Sequence, residues 1–198
     1  MKKIIFATSS SSRKKMIKDI GKIGIGFVFK PHKINEEEIK KKLLKKNIQT
    51  KKITKILAKK KSLSINNTKN IIVGTDTLVG VQGKTVDKAK NLKEAFKKIK
   101  MLSGKKHYIY TSIYMSKNKK KIWSHTEKTT VIVRKLKNKE IKTYINKNKK
   151  TVLKTAGCYQ AEKTGPSIFL KITGDYYNVL GFPVLKFLSF LRSKRILS

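Results

Sequence analysis

The chain opens on a compact apolar run, Ile4-Ile5-Phe6-Ala7, which Thr8 and the serines Ser9 to Ser12 break off. Unbroken apolar character over so few residues predicts a short buried strand over Lys3 to Thr8. The hydroxyls that follow are natural N-caps for a helix from about Arg13 to Ile20. A second strand is predicted over Gly24 to Pro31. From Glu36 to about Asn47, and from Thr50 to about Ile65, the spacing changes: Ile39, Leu43 and Leu44, then Ile53, Ile56 and Leu57, recur at helical intervals among lysines. These segments read as amphipathic helices.

The strongest strand signal lies in Asn70 to Val81, where Ile71-Ile72-Val73 runs into Gly74-Thr75-Asp76-Thr77 and then Leu78-Val79, before a turn at Gln82-Gly83. Leu92, Ala95, Phe96 and Ile99 mark one face of a helix that Ser103-Gly104 stops. His107 to Ser116 and Ile122 to Leu136 read as two long strands of an antiparallel hairpin, joined at Lys117 to Lys121. A short helix near Lys139 to Ile145, a glycine-punctuated segment from Ala156 to Asn178 and a helix after Pro183 follow. Strands alternating with helices predict an α/β fold. With neither repeat nor long linker, residues 1–198 are expected to form a single domain.

Composition changes this picture in few places. The 50 basic and 11 acidic residues give a net charge of +39, which raises the alternative of a non-catalytic, basic nucleic-acid-binding protein. Against it, only Arg13, Arg134, Arg192 and Arg195 carry the guanidinium fork that clamps phosphates and reads bases. Lysine, isoleucine and asparagine abound everywhere, as drift toward AT-rich codons produces. No specific nucleic-acid partner is therefore expected, although such a field attracts any triphosphate. No apolar run approaches the roughly 20 residues that span a bilayer, so no membrane partner is expected. Met1-Lys2-Lys3 before the first apolar run has the look of a signal peptide, but that run is too short for one. The lone Cys158 forms no internal disulfide and fits a reducing, cytoplasmic setting.

With eleven carboxylates, each can be weighed. Asp19, Glu37, Glu38, Glu94, Glu127 and Glu140 lie among charged or helical positions where solvated faces explain them. Glu36, Asp76, Asp87, Glu162 and Asp175 remain. Asp76 follows a buried strand and a glycine, so it is read at a strand end, placed to hold a metal or activate water. A turn aspartate bonding its own backbone explains it as well. Ser9 to Arg13, between strand and helix, offer hydroxyls, free amides and a guanidinium to an anion, or merely cap the helix. Neither a Walker loop nor a dinucleotide-binding glycine fingerprint is present. His32, His107 and His125 lack metal-ligand spacing and read as structural or surface residues. Cys158 reads as a packed residue, and Trp123 and the other aromatics read as core.

Taken in order, these pieces resemble the Maf family from Ile4 to about Leu191. Phe6-Ala7-Thr8-Ser9-Ser10-Ser11-Ser12-Arg13 resembles the family's Leu-Ala-Ser-x-Ser-Pro-x-Arg. Ile34-Asn35-Glu36 resembles Val-Asp-Glu, and Leu57-Ala58-Lys59-Lys60-Lys61 resembles Leu-Ala-x-x-Lys. Gly74-Thr75-Asp76 falls on Gly-Ala/Ser-Asp, with Lys88, Ser103-Gly104 and Tyr110-Thr111 at later motif positions. Gly174 to Pro183 is the closest match. Departures are Ser11 and Ala89 for prolines and Asn35 for aspartate, which leave looser loops and a poorer cation ligand.

The resemblance implies a mixed, twisted β-sheet flanked by helices, in two lobes with a nucleotide cleft between them, often paired as a homodimer. It implies a pyrophosphatase that cuts a nucleoside triphosphate to its monophosphate and pyrophosphate. Asp76 would be the general base, Glu36 and Asp76 would hold Mg²⁺ or Mn²⁺, and Ser9, Arg13, Lys61 and Lys88 would bind the triphosphate. Specificity falls on Ser12, Thr77 and Glu162. The dTTP/UTP enzymes carry Arg, Thr and Gln there, and the 7-methyl-GTP branch carries Trp, Gln and Glu. The signature here is mixed, and Glu162, within Ala156-Gly157-Cys158-Tyr159-Gln160-Ala161-Glu162, favours 7-methyl-GTP over the dTTP/UTP alternative.

Overall fold

The computed structural model describes residues 3–21, 26–67 and 69–196. The signal-like start at Met1-Lys2 and the opening of the second expected strand, Gly24 and Ile25, lie outside them. A mixed seven-stranded sheet flanked by helices forms the frame, in the order β2-β1-β3-β5-β6-β7, with β4 on the side of β3. Strands β1 (Lys3–Ala7) and β2 (Gly26–Lys30) run parallel, as do β1 and β3 (Ile71–Val81). The remaining pairs, among β4 (Lys84–Val86), β5 (Lys106–Lys117), β6 (Lys120–Val133) and β7 (Phe169–Thr173), are antiparallel.

The helices α1 (Ser11–Gly21), α2 (Glu36–Lys45), α3 (Thr50–Leu63), α4 (Leu92–Leu102) and α5 (Asn138–Lys147) fall on the expected segments. Short helices α6 (Lys149–Val152) and α7 (Tyr176–Val179) and the closing α8 (Val184–Ser193) complete the set. Three strands differ from expectation. The segment after Ala156 contains β7, whose Leu170 is left exposed, and Lys84–Val86 folds back on β3 as β4. The predicted strand to Leu136 ends at Val133, where β6 hands over to the loop before α5.

Two apolar cores share the long strands. One gathers Val79, Ile109 and Val131 under α4 and α5. The other packs Ile4, Phe6, Val73 and Ile113 against α1 and α8. Phe6 is its hub: its ring lies 5.8 Å from Phe182 and 5.7 Å from Phe187, both edge-on, the arrangement the ring quadrupole favours. Smaller clusters seat α2 and α3 on the opposite face through Ile53, Leu57 and Leu78.

The β5–β6 hairpin turns at Asn118 and Lys119, both with positive φ (48° and 60°), as a two-residue turn between twisted strands requires. Lysine is a poor residue for that conformation. Its ammonium compensates by donating to the carbonyls of Leu63 and Ile65 and to Asn66, so the hairpin tip holds the end of α3.

Candidate active site

The pairing pattern of β3 opens a notch. Its partner β1 runs alongside only as far as Gly74, and β4 begins only at Val79. Asp76 sits in that interval, so it lies within a central strand and not at a strand end as the sequence pattern suggested. What ends there is the pairing with β1. Because side chains alternate along a strand, Asp76 faces α3 while Thr77 faces the opposite side.

Gly74 lets α3 approach. A Cβ on it would stand 2.1 Å from the Ala58 carbonyl oxygen and 2.4 Å from the Ser62 nitrogen. This contact sets Lys61 beside Asp76: its Nζ is 2.7 Å from Asp76 Oδ1 and 2.6 Å from Glu36 Oε2. Lys61 and Asp76 are 5% and 2% exposed, so the ammonium and this carboxylate meet out of water. Asp76 Oδ2 is buried with no hydrogen-bond partner. Burial pushes the Asp76 carboxyl above its ordinary value, against the attraction of Lys61. For Glu36 burial also raises, but Lys61, His32 and Lys40 together outweigh it and hold the group low. Glu36 opens α2, whose N-cap is Asn35: its Oδ1 accepts from the Glu38 nitrogen at 3.1 Å. The asparagine is thus a cap, a role it performs as well as aspartate.

Arg13 works on the other face. Its Nε donates to the Gly181 carbonyl at 3.0 Å, and its two terminal nitrogens donate to Thr8 Oγ1 at 3.2 Å and Thr77 Oγ1 at 3.1 Å. Thr77 Oγ1 in turn lies 2.9 Å from Thr111 Oγ1. The guanidinium is thereby a clamp between the first loop and the C-terminal segment, a role the sequence did not suggest. Burial pulls its pKa below the usual arginine value.

The nine positions that the family resemblance assigns to the site line one cleft of about 820 Å³: Ser9, Ser12, Arg13, Glu36, Lys61, Asp76, Thr77, Lys88 and Glu162. They do not all stand as expected. Lys61 is spent on two carboxylates, Lys88 is exposed on the wall, and the Glu162 carboxylate accepts from Gln160 Nε2 at 2.8 Å. A second cavity of about 430 Å³ adjoins the cleft and shares Ser12 and Glu162 with it, but not Thr77. The other two unexplained carboxylates have structural partners: Asp87 meets Lys40 at 2.6 Å, and Asp175 caps α7.

Sequence reasoning missed His32, which lines the cleft with Nε2 3.5 Å from Glu36 Oε2. It stands four residues before Glu36 but ahead of α2, so no helix carries the two on one face. Among the described residues no three or more His, Cys, Asp or Glu side chains come together as a metal-binding group, and no helix is long and apolar enough to cross a membrane.

Comparison with known proteins adds a lineage. A nucleoside triphosphate pyrophosphatase of Pelagibacter ubique is 30% identical over 97% of this chain and 98% of that protein. A 7-methyl-GTP pyrophosphatase of Bartonella quintana is 31% identical over 96% of this chain and 94% of that protein. A dTTP/UTP pyrophosphatase of Thermosipho melanesiensis is 40% identical, over 74% of this chain and 78% of that protein. Residues 3–194, from the first strand of the sheet to just past α8, match the family model described as Maf-like protein, and the chain belongs to that family.

Proposed function

We propose that the protein is a nucleoside triphosphate pyrophosphatase whose general base is Asp76. The observation that carries this reading is the orphaned Asp76 Oδ2, buried in a notch that opens onto the serine-rich start of α1. A buried carboxylate oxygen with no partner is costly to keep unless a proton or a cation uses it. In the proposed reaction Oδ2 takes a proton from water as the water oxygen bonds to the α-phosphorus. The α–β anhydride bond breaks, and its electron pair leaves on pyrophosphate. Ser9, the amides at the start of α1 and Lys88 bind the negative oxygens, and Arg13 keeps that loop in place.

The donor set suits a hard divalent cation. Mg²⁺ commonly takes one or two carboxylates and completes its shell with phosphate oxygens and water, and Glu36 and Asp76 are the residues that would hold it, or Mn²⁺, here. Such an ion would supply charge neutralisation to the phosphates.

The pH dependence follows from the raised pKa of Asp76. A base works only when ionised, so the rate should fall on the acid side as pH drops through that raised value, above the roughly 4 of an ordinary aspartate. The stability sign is opposite, because folding disfavours the ionised form and Asp76 costs stability as pH rises through the same value. A kcat/KM profile that stays level down to about pH 4 would remove Asp76 from the role of base.

For the base, 7-methyl-GTP is the substrate we favour. A carboxylate at Glu162 can accept both N–H groups on the guanine edge, and the methylated purine is cationic. The second cavity, which Ser12 and Glu162 both line, is where such a base would sit. Glu162→Gln should cut kcat/KM for 7-methyl-GTP by about 10- to 100-fold, the worth of a hydrogen bond to a charged group. It should leave dTTP and UTP unaffected or improved. Pyrophosphate release from dTTP but none from 7-methyl-GTP would instead support the dTTP/UTP reading. Tight, salt-dependent binding to nucleic acid with no nucleotide hydrolysis would sink both.

A further inference from the structure

We propose that Lys61 is the resident counter-ion of the Glu36–Asp76 pair, and that a divalent cation enters only by displacing its ammonium. The inference rests on the reading that these two carboxylates hold the metal. Lys61 Nζ lies 2.6 Å from Glu36 Oε2 and 2.7 Å from Asp76 Oδ1, so it occupies the point between the two oxygens where their fields add. Arg13 shares no ion pair with either carboxylate, because its donors go to Gly181, Thr8 and Thr77. Lys61 is therefore the close cation for both. His32 lies 3.5 Å from the Glu36 oxygen.

The geometry follows from the fold. Lys61 lies in the last turns of α3, which Gly74 draws against β3, and Asp76 is two residues beyond that contact on the same strand face. The hairpin tip at Lys119 holds the end of the helix. The ammonium is thus presented by a fixed backbone, and the part free to move is its stem. A free enzyme built this way keeps its carboxylates neutralised without metal, and it binds metal weakly until something else draws the ammonium away. A triphosphate is the chemistry suited to that.

The test is Mn²⁺ binding to the full chain without nucleotide, followed by the paramagnetic signal of free Mn²⁺. Lys61→Met keeps the stem and removes the competitor, so it should bind Mn²⁺ at least about 10-fold more tightly than wild type. Its unfolding temperature should also rise more on adding Mn²⁺. Adding Asp76→Asn to it should abolish the gain. A folded Lys61→Met protein with unchanged or weaker Mn²⁺ affinity overturns the proposal.

A second measurement uses wild type alone and serves if the variant does not fold. Reductive methylation, read on the peptide that contains Lys61, should be slow in the metal-free protein and several-fold faster at saturating Mn²⁺. Unchanged protection at saturation means that metal and ammonium coexist, and it too overturns the proposal. Neither measurement depends on turnover. A protein that hydrolyses no nucleotide yet gives both expected results loses the pyrophosphatase reading and keeps the counter-ion.

Discussion

Asp76→Asn is expected to lower pyrophosphate release by about two to four orders of magnitude, the range a positioned general base contributes. The change is nearly isosteric and leaves Lys61 on Glu36 at 2.6 Å, but an amide accepts no proton from water near neutral pH. Folding should be spared. Burial already disfavours the charged form of Asp76, so neutralising it relieves a strain that offsets the lost contact with Lys61. The unfolding temperature should stay within about 3 °C of wild type, equivalent to roughly 1 kcal/mol for a chain of this size. A pyrophosphate-release assay beside scanning calorimetry reads both quantities. A variant that keeps more than about a tenth of the wild-type rate would assign the proton transfer to another group.

Gly74→Ala should be severely damaging, because among the described glycines Gly74 is the one where an added methyl meets backbone most closely. The new carbon would meet the Ala58 carbonyl oxygen at 2.1 Å and the Ser62 nitrogen at 2.4 Å, and both are backbone atoms that cannot rotate aside. α3 must then lift from β3. Ordinary overpacking costs about 1–3 kcal/mol, and a clash with helix backbone should exceed about 4 kcal/mol. The displaced helix also takes Lys61 away from Asp76, so activity should vanish with stability. Gly26→Ala is the control: its Cβ would come no nearer than 3.7 Å to Lys3 Cγ, an ordinary contact, and should change stability by less than about 0.5 kcal/mol. Urea unfolding midpoints of the two variants check the contrast.

This pair of residues shows what could be read without coordinates. Gly74 and Asp76 stood out because a strongly apolar strand met a glycine and a carboxylate, and the pattern was right about the strand. It misplaced the aspartate because a strand's end and the end of its neighbour's pairing look alike in one dimension. Helices announced by three- and four-residue spacing, α2, α3 and α4 among them, were legible for the same reason that they pack: one apolar face each. β7 was not, since Phe169 to Thr173 form a short segment that hides little of itself and leaves Leu170 in solvent.

Charge roles were harder still. Lys61 and Arg13 were identifiable as positions, but the first neutralises two carboxylates and the second holds a carbonyl 168 positions away. Pairings of that range leave no local trace. His32 was invisible as a site residue for a related reason, because it approaches Glu36 across a loop and not along a helix.

The clamp from Arg13 to Gly181 has a consequence for how the protein comes into being. One wall of the cleft is synthesised first, and the carbonyl that steadies it is added 168 residues later. At the usual pace of synthesis that interval is roughly 10–30 s. Until then the nascent N-terminal strand and helix lack Phe182 and Phe187 to cover Phe6, and Arg13 lacks its acceptor. A chain still short of that segment should lack the finished cleft, and competence should arrive as α8 docks.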